Sequence, residues 1–183
     1  MTFRDRAVVV TGGGGGIGRH LVFGLLERGA RVAALDVRQE GLDETADLAA
    51  AGDRLSTHTV DVSNRDGVQG APEQVLARHG SIDGVIHNAG IIQPFVRFVD
   101  LDYEAIDKVV AVNLYGTIHM AKAFLPHLVT RPEAPTRCRP RPQHTGSHDT
   151  RAILTIPRAI PWGTSGVSDG PWRPFLSTTV QTG

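Results

Sequence analysis

The amino-acid sequence predicts an α/β fold with a doubly wound parallel sheet. Short runs of apolar and β-branched residues alternate with stretches whose apolar residues recur at helical spacing. Five consecutive glycines, Gly12 to Gly16, connect the first apolar run to the first helical stretch. Repeated β-α units of this kind are typical of a parallel sheet that helices cover on both faces. In such sheets, ligands bind at the carboxyl ends of the strands.

The first β-α-β unit begins at Ala7. Ala7 to Val10 is short, apolar and β-branched, which predicts a strand buried on both faces. A helix with one apolar face follows and is expected to end near Gly29. That face is predicted to consist of Ile17, Leu21, Val22, Leu25 and Leu26. Arg31 to Asp36 is predicted to be a second buried strand that ends in an acid.

The alternation of strands and helices continues to Leu128. The predicted elements are a strand over Leu55 to Val62, a helix over Asn64 to His79, a strand and turn over Ile82 to Gly90, and helices over Asp102 to Asn113 and Thr117 to Leu128. Polar residues come where the predicted strands end, namely Thr11, Asp36, Asp61 and Asn88. Right-handed crossovers bring these strand ends to one edge of the sheet, where a ligand is expected.

The spacing of the glycines favours a dinucleotide site of Rossmann type. A glycine at the end of a strand permits a tight turn, a later one lets the backbone approach a pyrophosphate, and the last allows the helix to pack on the strand. The helix N-terminus then presents N–H groups and partial positive charge to the phosphates. Asp36 lies at the distance along the chain where an acid binds ribose hydroxyls. The alternative is a glycine-rich turn that binds nothing.

In order and spacing, these residues resemble the short-chain dehydrogenase/reductase family. The matches are Thr11, Gly12, Gly16 and Gly18 for the family's TGxxxGxG motif, Asp36 for the acid of its second strand, Asp61 and Val62 for the pair after its third strand, Asn88, Ala89 and Gly90 for its NNAG motif, and Asn113 for its active-site asparagine. His87 replaces the first asparagine of NNAG. The resemblance covers roughly residues 5 to 128.

The resemblance implies NAD(P)-dependent hydride transfer between an alcohol and a carbonyl of a small molecule. The resemblance assigns the cofactor contacts to the motif residues above and to Ile17. It assigns a catalytic role to one residue, Asn113. It also implies that the strands lie in the order three, two, one, four.

Asp36 favours NAD over NADP as the cofactor. Its carboxylate can accept hydrogen bonds from the ribose hydroxyls of NAD and repels the 2′-phosphate of NADP. Relatives that prefer NADP often carry a basic residue directly after this position, where this chain has Val37. Arg38 is one residue further, and the alternation of side chains along a strand predicts that it points away.

The catalytic tyrosine that the resemblance implies has no counterpart in the sequence. The family's general acid/base is a tyrosine in Tyr-x-x-x-Lys, whose lysine lowers the tyrosine pKa. Tyr103 and Tyr115 are the only tyrosines of the sequence. The residue four positions later is Asp107 for the first and His119 for the second, and not lysine. Two interpretations remain: an oxidoreductase by descent that is inactive as written, and a non-catalytic NAD-binding fragment or pseudoenzyme.

The composition changes abruptly after Arg131. Eight of the eleven prolines, both tryptophans and Cys138 lie beyond it, and apolar periodicity is lost. We therefore divide the chain into an NAD(P)-binding domain, residues 1–130, and a segment rich in proline and arginine, residues 131–183, and expect the sheet to be incomplete in its C-terminal half. Two interpretations explain the segment: a natural divergent tail, which its composition predicts to be disordered, and a change of reading frame. The chain has seventeen arginines and two lysines, as in a GC-rich gene.

A prediction about the gene distinguishes these explanations. Translation one or two bases out of register from the codons for Arg131 to Pro135 is expected to restore a strand ending in serines. Tyr-x-x-x-Lys should follow about ten to fifteen residues later, a spacing that the resemblance supplies. If neither alternative frame contains the motif, the divergent tail is the correct interpretation.

Composition narrows the classes of partner. Acidic and basic residues are equal in number, which gives no electrostatic argument for nucleic acid or a membrane surface. A single cysteine, no long apolar run and no apparent leader favour a cytoplasmic protein. His144 and His148 are four residues apart but have no clear third ligand, so no metal site is expected. The family's subunit contacts involve the helix that carries the missing tyrosine, so they are expected to be lost.

Overall fold

The computed structural model describes residues 3–129 as a parallel sheet with helices on both faces. The strands are β1 (Ala7–Thr11), β2 (Arg31–Asp36), β3 (Leu55–Thr59) and β4 (Gly84–Ile86). The helices are α1 (Gly16–Glu27), α2 (Gln39–Ala49), α3 (Arg65–Gln69), α4 (Ala71–His79), α5 (Tyr103–Val110) and α6 (Gly116–Val129), with a π-helical turn, Ala111–Tyr115, between the last two. Within this part of the chain, no helix combines the length and apolar composition that a bilayer crossing requires.

The strand order, β3-β2-β1-β4, is the one that the family resemblance implies. β1 occupies the centre and pairs in parallel with β2 and β4, and β2 also pairs with β3. From β1 the chain adds β2 and then β3 on one side, and β4 lies on the other side of β1. The strand order therefore reverses between β1 and β4. A crevice forms at such a reversal, at the carboxyl ends of the two central strands.

Each face of the sheet has its own apolar core, because side chains alternate along a strand. Val9, Ala33 and Val85 point to one face, where they pack with residues of α3, α4 and α6 such as Phe124. The opposite face packs against α1 and α2. Its buried residues are Val8, Val10, Val22, Leu25, Leu26, Ala30, Val32, Ala34, Leu42 and Leu55. All five residues of β1 are buried, as the short apolar run predicted.

The predicted apolar face of α1 is wrong at one residue. Val22, Leu25 and Leu26 are buried, and Gly29 ends the helix with a φ of +80°. Ile17, however, is 61% exposed. It lies in the first turn of the helix, just after the glycine turn, and among the described residues it belongs to neither apolar core.

Two other boundaries differ from the sequence prediction. The third strand ends at Thr59 instead of Val62, because its partner β2 ends at Asp36. The helix predicted over Asn64 to His79 is divided into α3 and α4. Gly70 lies between the two helices, as the last cap of α3 and the first cap of α4. Pro72 lies in the first turn of α4, where a residue without an N–H is tolerated.

The two last predicted helices form one continuous helical segment instead. Ala111 and Gly116 both keep right-handed helical backbone angles, and the π turn between α5 and α6 inserts a residue without ending the helix. Gly116 packs against Val62, where a Cβ atom would come within 2.9 Å of the valine side chain. The glycine therefore serves close packing of the helix on the chain that follows β3, and not a break between helices.

A polar cluster joins β3 to α4 away from the strand ends. The Ser56 hydroxyl lies 2.8 Å from Nε2 of both His58 and His79, and Nδ1 of His58 lies 3.3 Å from the Gln74 side-chain oxygen. Burial lowers the pKa of both imidazoles, and Arg31 lowers that of His79 further. Folding therefore favours the neutral form of both rings.

We expect the free energy of unfolding to fall as the pH drops from about 7.5 to about 5.5. The unfolded chain takes up protons near the ordinary imidazole pKa of about 6.5, whereas the folded chain resists protonation at His58 and His79. The stabilisation is present above that pH and is lost as the pH falls toward the lowered pKa values. Urea denaturation across this range measures it, and the His58→Gln/His79→Gln variant should flatten the slope. A stability that stays level in the wild type would contradict the prediction.

Candidate functional site

The glycine-rich turn after β1 brings two backbone segments closer than any side chain permits. Gly12 has a φ of +71°, and a Cβ atom there would lie 2.9 Å from the Asn88 side-chain nitrogen. A Cβ atom on Gly18, in the first turn of α1, would lie 1.8 Å from the Gly12 carbonyl oxygen. The turn and the start of α1 therefore fold tightly against the residues that follow β4.

The Thr11 hydroxyl ties the end of β1 to the residues that follow β4. Its oxygen accepts hydrogen bonds from the backbone N–H groups of Asn88 and Ala89, each at 3.0 Å. The Asn88 side chain donates to the Thr11 carbonyl at 3.2 Å. Residues from two distant parts of the sequence are thus fixed side by side at the switch in strand order.

His87 completes this contact. It is fully buried, and its Nδ1 lies 3.0 Å from the Thr11 hydroxyl oxygen. Burial lowers the pKa of the His87 imidazole. Its Nε2 is also buried and has no hydrogen-bond partner among residues 3–129.

Asp36 holds the glycine turn from the end of β2. Its carboxylate accepts hydrogen bonds from the backbone N–H of Gly14 and of Arg38, both at 3.0 Å, and its side chain is 11% exposed. The prediction that Arg38 points away is wrong: its Nε lies 3.9 Å from the Asp36 carboxylate. β2 has already ended at Asp36, so the alternation of a strand no longer directs Arg38, which instead precedes α2.

Arg19 is a site residue that sequence reasoning missed. Its guanidinium donates to the carbonyl oxygens of Gly14 and Gly41, to the Thr45 hydroxyl and to Glu44. The Glu44 hydrogen bond raises the pKa of Arg19. Arg19 therefore fastens the glycine turn to α2. A cation in the first turn of a helix is opposed by the helix dipole, and that anomaly is the signal that the sequence offered.

Asn113 lies in the π-helical turn and binds the backbone that leaves β4. Its Oδ1 accepts from the N–H of Ile91 at 2.9 Å, and its Nδ2 donates to the carbonyl of the same residue at 2.8 Å. Single π turns are frequent at functional sites because the extra residue re-aims a side chain. Here the asparagine is exposed and adjoins the segment that follows Gly90.

The remaining predicted residues lie around the same edge. Gly16 begins α1 with a φ of +49°, and Ile17 is exposed beside it. The Asp61 carboxylate is exposed and accepts hydrogen bonds from the backbone and hydroxyl of Ser63, whereas Val62 is buried in the core. Cys138, His144, His148 and the whole 131–183 segment lie outside the described residues.

The arrangement provides the parts of a cradle for an elongated anionic ligand. An uncapped helix N-terminus, a glycine turn and a carboxylate lie along one edge of the sheet. Tyr103 and Tyr115 are 84% and 52% exposed on the α5–α6 segment, and the Tyr115 ring stacks on His119. No three histidine, cysteine, aspartate or glutamate side chains of the described part of the chain gather as metal ligands would.

Comparison with known proteins supports this geometry. A family model described as short chain dehydrogenase matches residues 6–135. "Short-chain dehydrogenase reductase 3b" of Arabidopsis thaliana is 36% identical over 122 residues, which is 67% of this chain and 46% of the relative. "Probable oxidoreductase EphD" of Mycobacterium tuberculosis is 39% identical over 130 residues, or 70% of this chain and 22% of the relative. The chain thus spans half or less of the length of these relatives.

Solved structures agree with the fold and extend the match to cofactor complexes. A 3-ketoacyl-(acyl-carrier-protein) reductase from Brucella melitensis, complexed with NADH, superposes with a TM-score of 0.66 and 27% identity, over 69% of this chain and 52% of the other. An NAD⁺-bound xylitol dehydrogenase superposes with a TM-score of 0.68 and 28% identity, over 71% and 50%. With the family model matching most of the chain and the strand order, glycine turn and Asn113 all in place, this protein belongs to the short-chain dehydrogenase family.

Proposed function

We propose that residues 1–130 form the NAD-binding part of an oxidoreductase that transfers hydride between an alcohol and a carbonyl of a small molecule. The observation that carries the proposal is the joining of three strand ends around one glycine turn. Thr11 fixes the segment after β4 against the turn, and Asp36 fixes the end of β2 against it. Solved structures that superpose on this fold include one complexed with NADH and one bound to NAD⁺, which supports a nicotinamide cofactor here.

The residues of the turn fit a dinucleotide. Close approach of backbone to a pyrophosphate requires positions without side chains, and Gly12 and Gly18 are packed so tightly that a Cβ atom is excluded. The start of α1 has no side-chain cap and no acidic residue in its first turn, so its N–H groups are available to phosphate oxygens. We assign the ribose to Asp36, the adenine to Asp61 and Val62, and the phosphates and nicotinamide side to Thr11, Gly12, Gly16, Ile17, Gly18, Asn88, Ala89 and Gly90.

NAD should bind at least about tenfold more tightly than NADP. The Asp36 carboxylate is held in place by two backbone N–H groups, so it cannot turn away from a 2′-phosphate without breaking them. Arg38, 3.9 Å from that carboxylate, offsets part of the repulsion. Calorimetric titration with both cofactors measures the ratio. Asp36→Ala should weaken NAD binding and reduce the ratio of NAD affinity to NADP affinity. Arg38→Met should increase that ratio.

Asp47→Ala is the matched control for the loss of a negative charge. Asp47 is exposed on α2 and has no hydrogen bond or ion pair with the glycine turn among the described residues, so its substitution removes charge alone. The variant should leave both affinities unchanged. Tighter binding of NADP than of NAD by the wild type would reverse the cofactor assignment, and absence of binding by either would overturn the proposed function itself.

A second candidate is a non-catalytic NAD-binding fragment. The specific observation in its favour is the lack of Tyr-x-x-x-Lys in the sequence. The match to the family model ends at residue 135, beside the change in composition after Arg131, which supports a division of the chain near residue 130. Both candidates bind NAD, and they differ in turnover.

A further inference from the structure

We propose that His87 is a positioning residue that locks the Thr11 hydroxyl through one fixed tautomer. His87 replaces the first asparagine of the NNAG motif, so the family pattern does not assign this interaction. His87 and Thr11 are both fully buried, and their side chains meet at 3.0 Å. The effect of the residue on NAD rests on the proposed function, whereas the tautomer does not.

The hydrogen-bond count at Thr11 determines the tautomer. A hydroxyl has one hydrogen to donate and two lone pairs that accept. The backbone N–H groups of Asn88 and Ala89 occupy both lone pairs, because a backbone N–H can only donate. The hydroxyl hydrogen must therefore go to Nδ1 of His87, which has to be the bare nitrogen of a neutral ring. The ring hydrogen is then on Nε2.

The choice of tautomer rests on the contact with Thr11. Nε2 is buried without a hydrogen-bond partner in the described part of the chain, so it is unpaired in either tautomer and its surroundings do not oppose the count at Thr11 with a competing contact. Burial also lowers the pKa of the imidazole, which favours the neutral ring, the form whose Nδ1 can accept. A protonated ring would present a hydrogen at both nitrogens and could not accept from Thr11.

The lock has a consequence for the cofactor cradle. A hydroxyl with its hydrogen fixed on His87 keeps both lone pairs aimed at the turn of Asn88 and Ala89. Without an acceptor in place of Nδ1, the hydroxyl hydrogen is left without a partner in a dry interior, and rotation toward any other acceptor disturbs the two accepted bonds. The turn that borders Gly12 then loosens, and NAD affinity falls.

Substitutions at His87 test the acceptor. Asparagine carries Oδ1 on Cγ, where histidine carries Nδ1, so His87→Asn should bind NAD within about threefold of the wild type. His87→Leu fills similar space without an acceptor and should weaken NAD by about tenfold or more. Calorimetry measures affinity, and thermal unfolding is followed beside it. Equal NAD affinity in wild type and His87→Leu, or equal weakening in both variants, would overturn the proposal.

Nitrogen-detected NMR of the wild-type imidazole tests the tautomer directly and needs no cofactor. The proposal requires hydrogen on Nε2 and none on Nδ1 in the full chain at neutral pH. Because the measurement uses the wild type, it tests the proposal even if His87→Leu fails to fold. A hydrogen on Nδ1 overturns it. If the wild type binds no NAD but shows the expected tautomer, the proposed function fails and the lock on Thr11 stands.

Discussion

Gly18→Ala is expected to weaken NAD binding by about a hundredfold and to lower the free energy of unfolding by about 3 kcal/mol. The added Cβ atom would lie 1.8 Å from the Gly12 carbonyl oxygen and 2.9 Å from the Asn88 side-chain nitrogen. Neither neighbour can yield cheaply, because the first is backbone and the second is bound to Thr11. The helix must therefore move away from the glycine turn. NAD binding weakens because the N–H groups at the start of α1 are then displaced from the turn that would hold the phosphates.

Gly24→Ala is the matched control on the same helix. A Cβ atom there would meet only the tip of the Arg28 side chain, at 3.2 Å, and that tip is flexible. Alanine is the better helix former by up to about 1 kcal/mol, so this variant should be as stable as the wild type or more so. Urea denaturation and NAD titration of both variants give the result. Unimpaired NAD binding by Gly18→Ala would mean that the close approach seen here is not needed for the cofactor.

We expect no measurable oxidoreductase turnover from this chain with NAD and a panel of secondary alcohols. General acid/base catalysis contributes about 10²–10⁴-fold in rate, and a tyrosine can supply it at neutral pH only when its pKa of about 10 is lowered. Tyr103 and Tyr115 lie on the exposed side of the α5–α6 segment, with Asp107 and His119 four residues on in place of lysine. Asn113 is the one position that the resemblance matches to the family's catalytic set, and in the structure its side chain binds the Ile91 backbone.

The assay must separate absent chemistry from absent folding. The same preparation should bind NAD by calorimetry and unfold cooperatively, with a full-length member of the family as the positive control for the alcohol panel. NADH formation above background that disappears in Asn113→Ala would show that the turnover belongs to this chain, and would contradict the prediction. Binding without turnover would favour the non-catalytic fragment.

The central part of the fold could be predicted from sequence because several signals agreed. β1, α1 and β2 each have the apolar pattern, the length and the terminating residue of their element, and the structure has them within a residue or so of the predicted bounds. The order of the strands came from the resemblance and is confirmed. Thr11 and Asp36 lie at the carboxyl ends of β1 and β2, as the alternation of strands and helices predicted.

The features that the sequence did not predict correctly depend on contacts with residues that are distant in sequence. Ile17 has the helical spacing of a core residue, but its exposure depends on where the helix begins relative to the sheet, and that position is set by the tertiary fold. The end of β3 is set by the length of β2, and the continuity of α5 and α6 by the fit of Gly116 on Val62. Arg19 and Arg38 act through contacts with α2 and Asp36, which periodicity does not encode.

The place of β4 beside β1 has a consequence for the order in which the protein assembles. Val8 pairs with Val32, close in sequence, and also with Gly84, far along the chain. Contacts between distant residues form late, because the loop between them must close first. We therefore expect β1, β2 and β3 to form an early unit onto which β4 docks, and to open last in hydrogen exchange. The Thr11 hydroxyl lies on the seam between these units, so a ligand bound there would hold the late-docking strand to the early one.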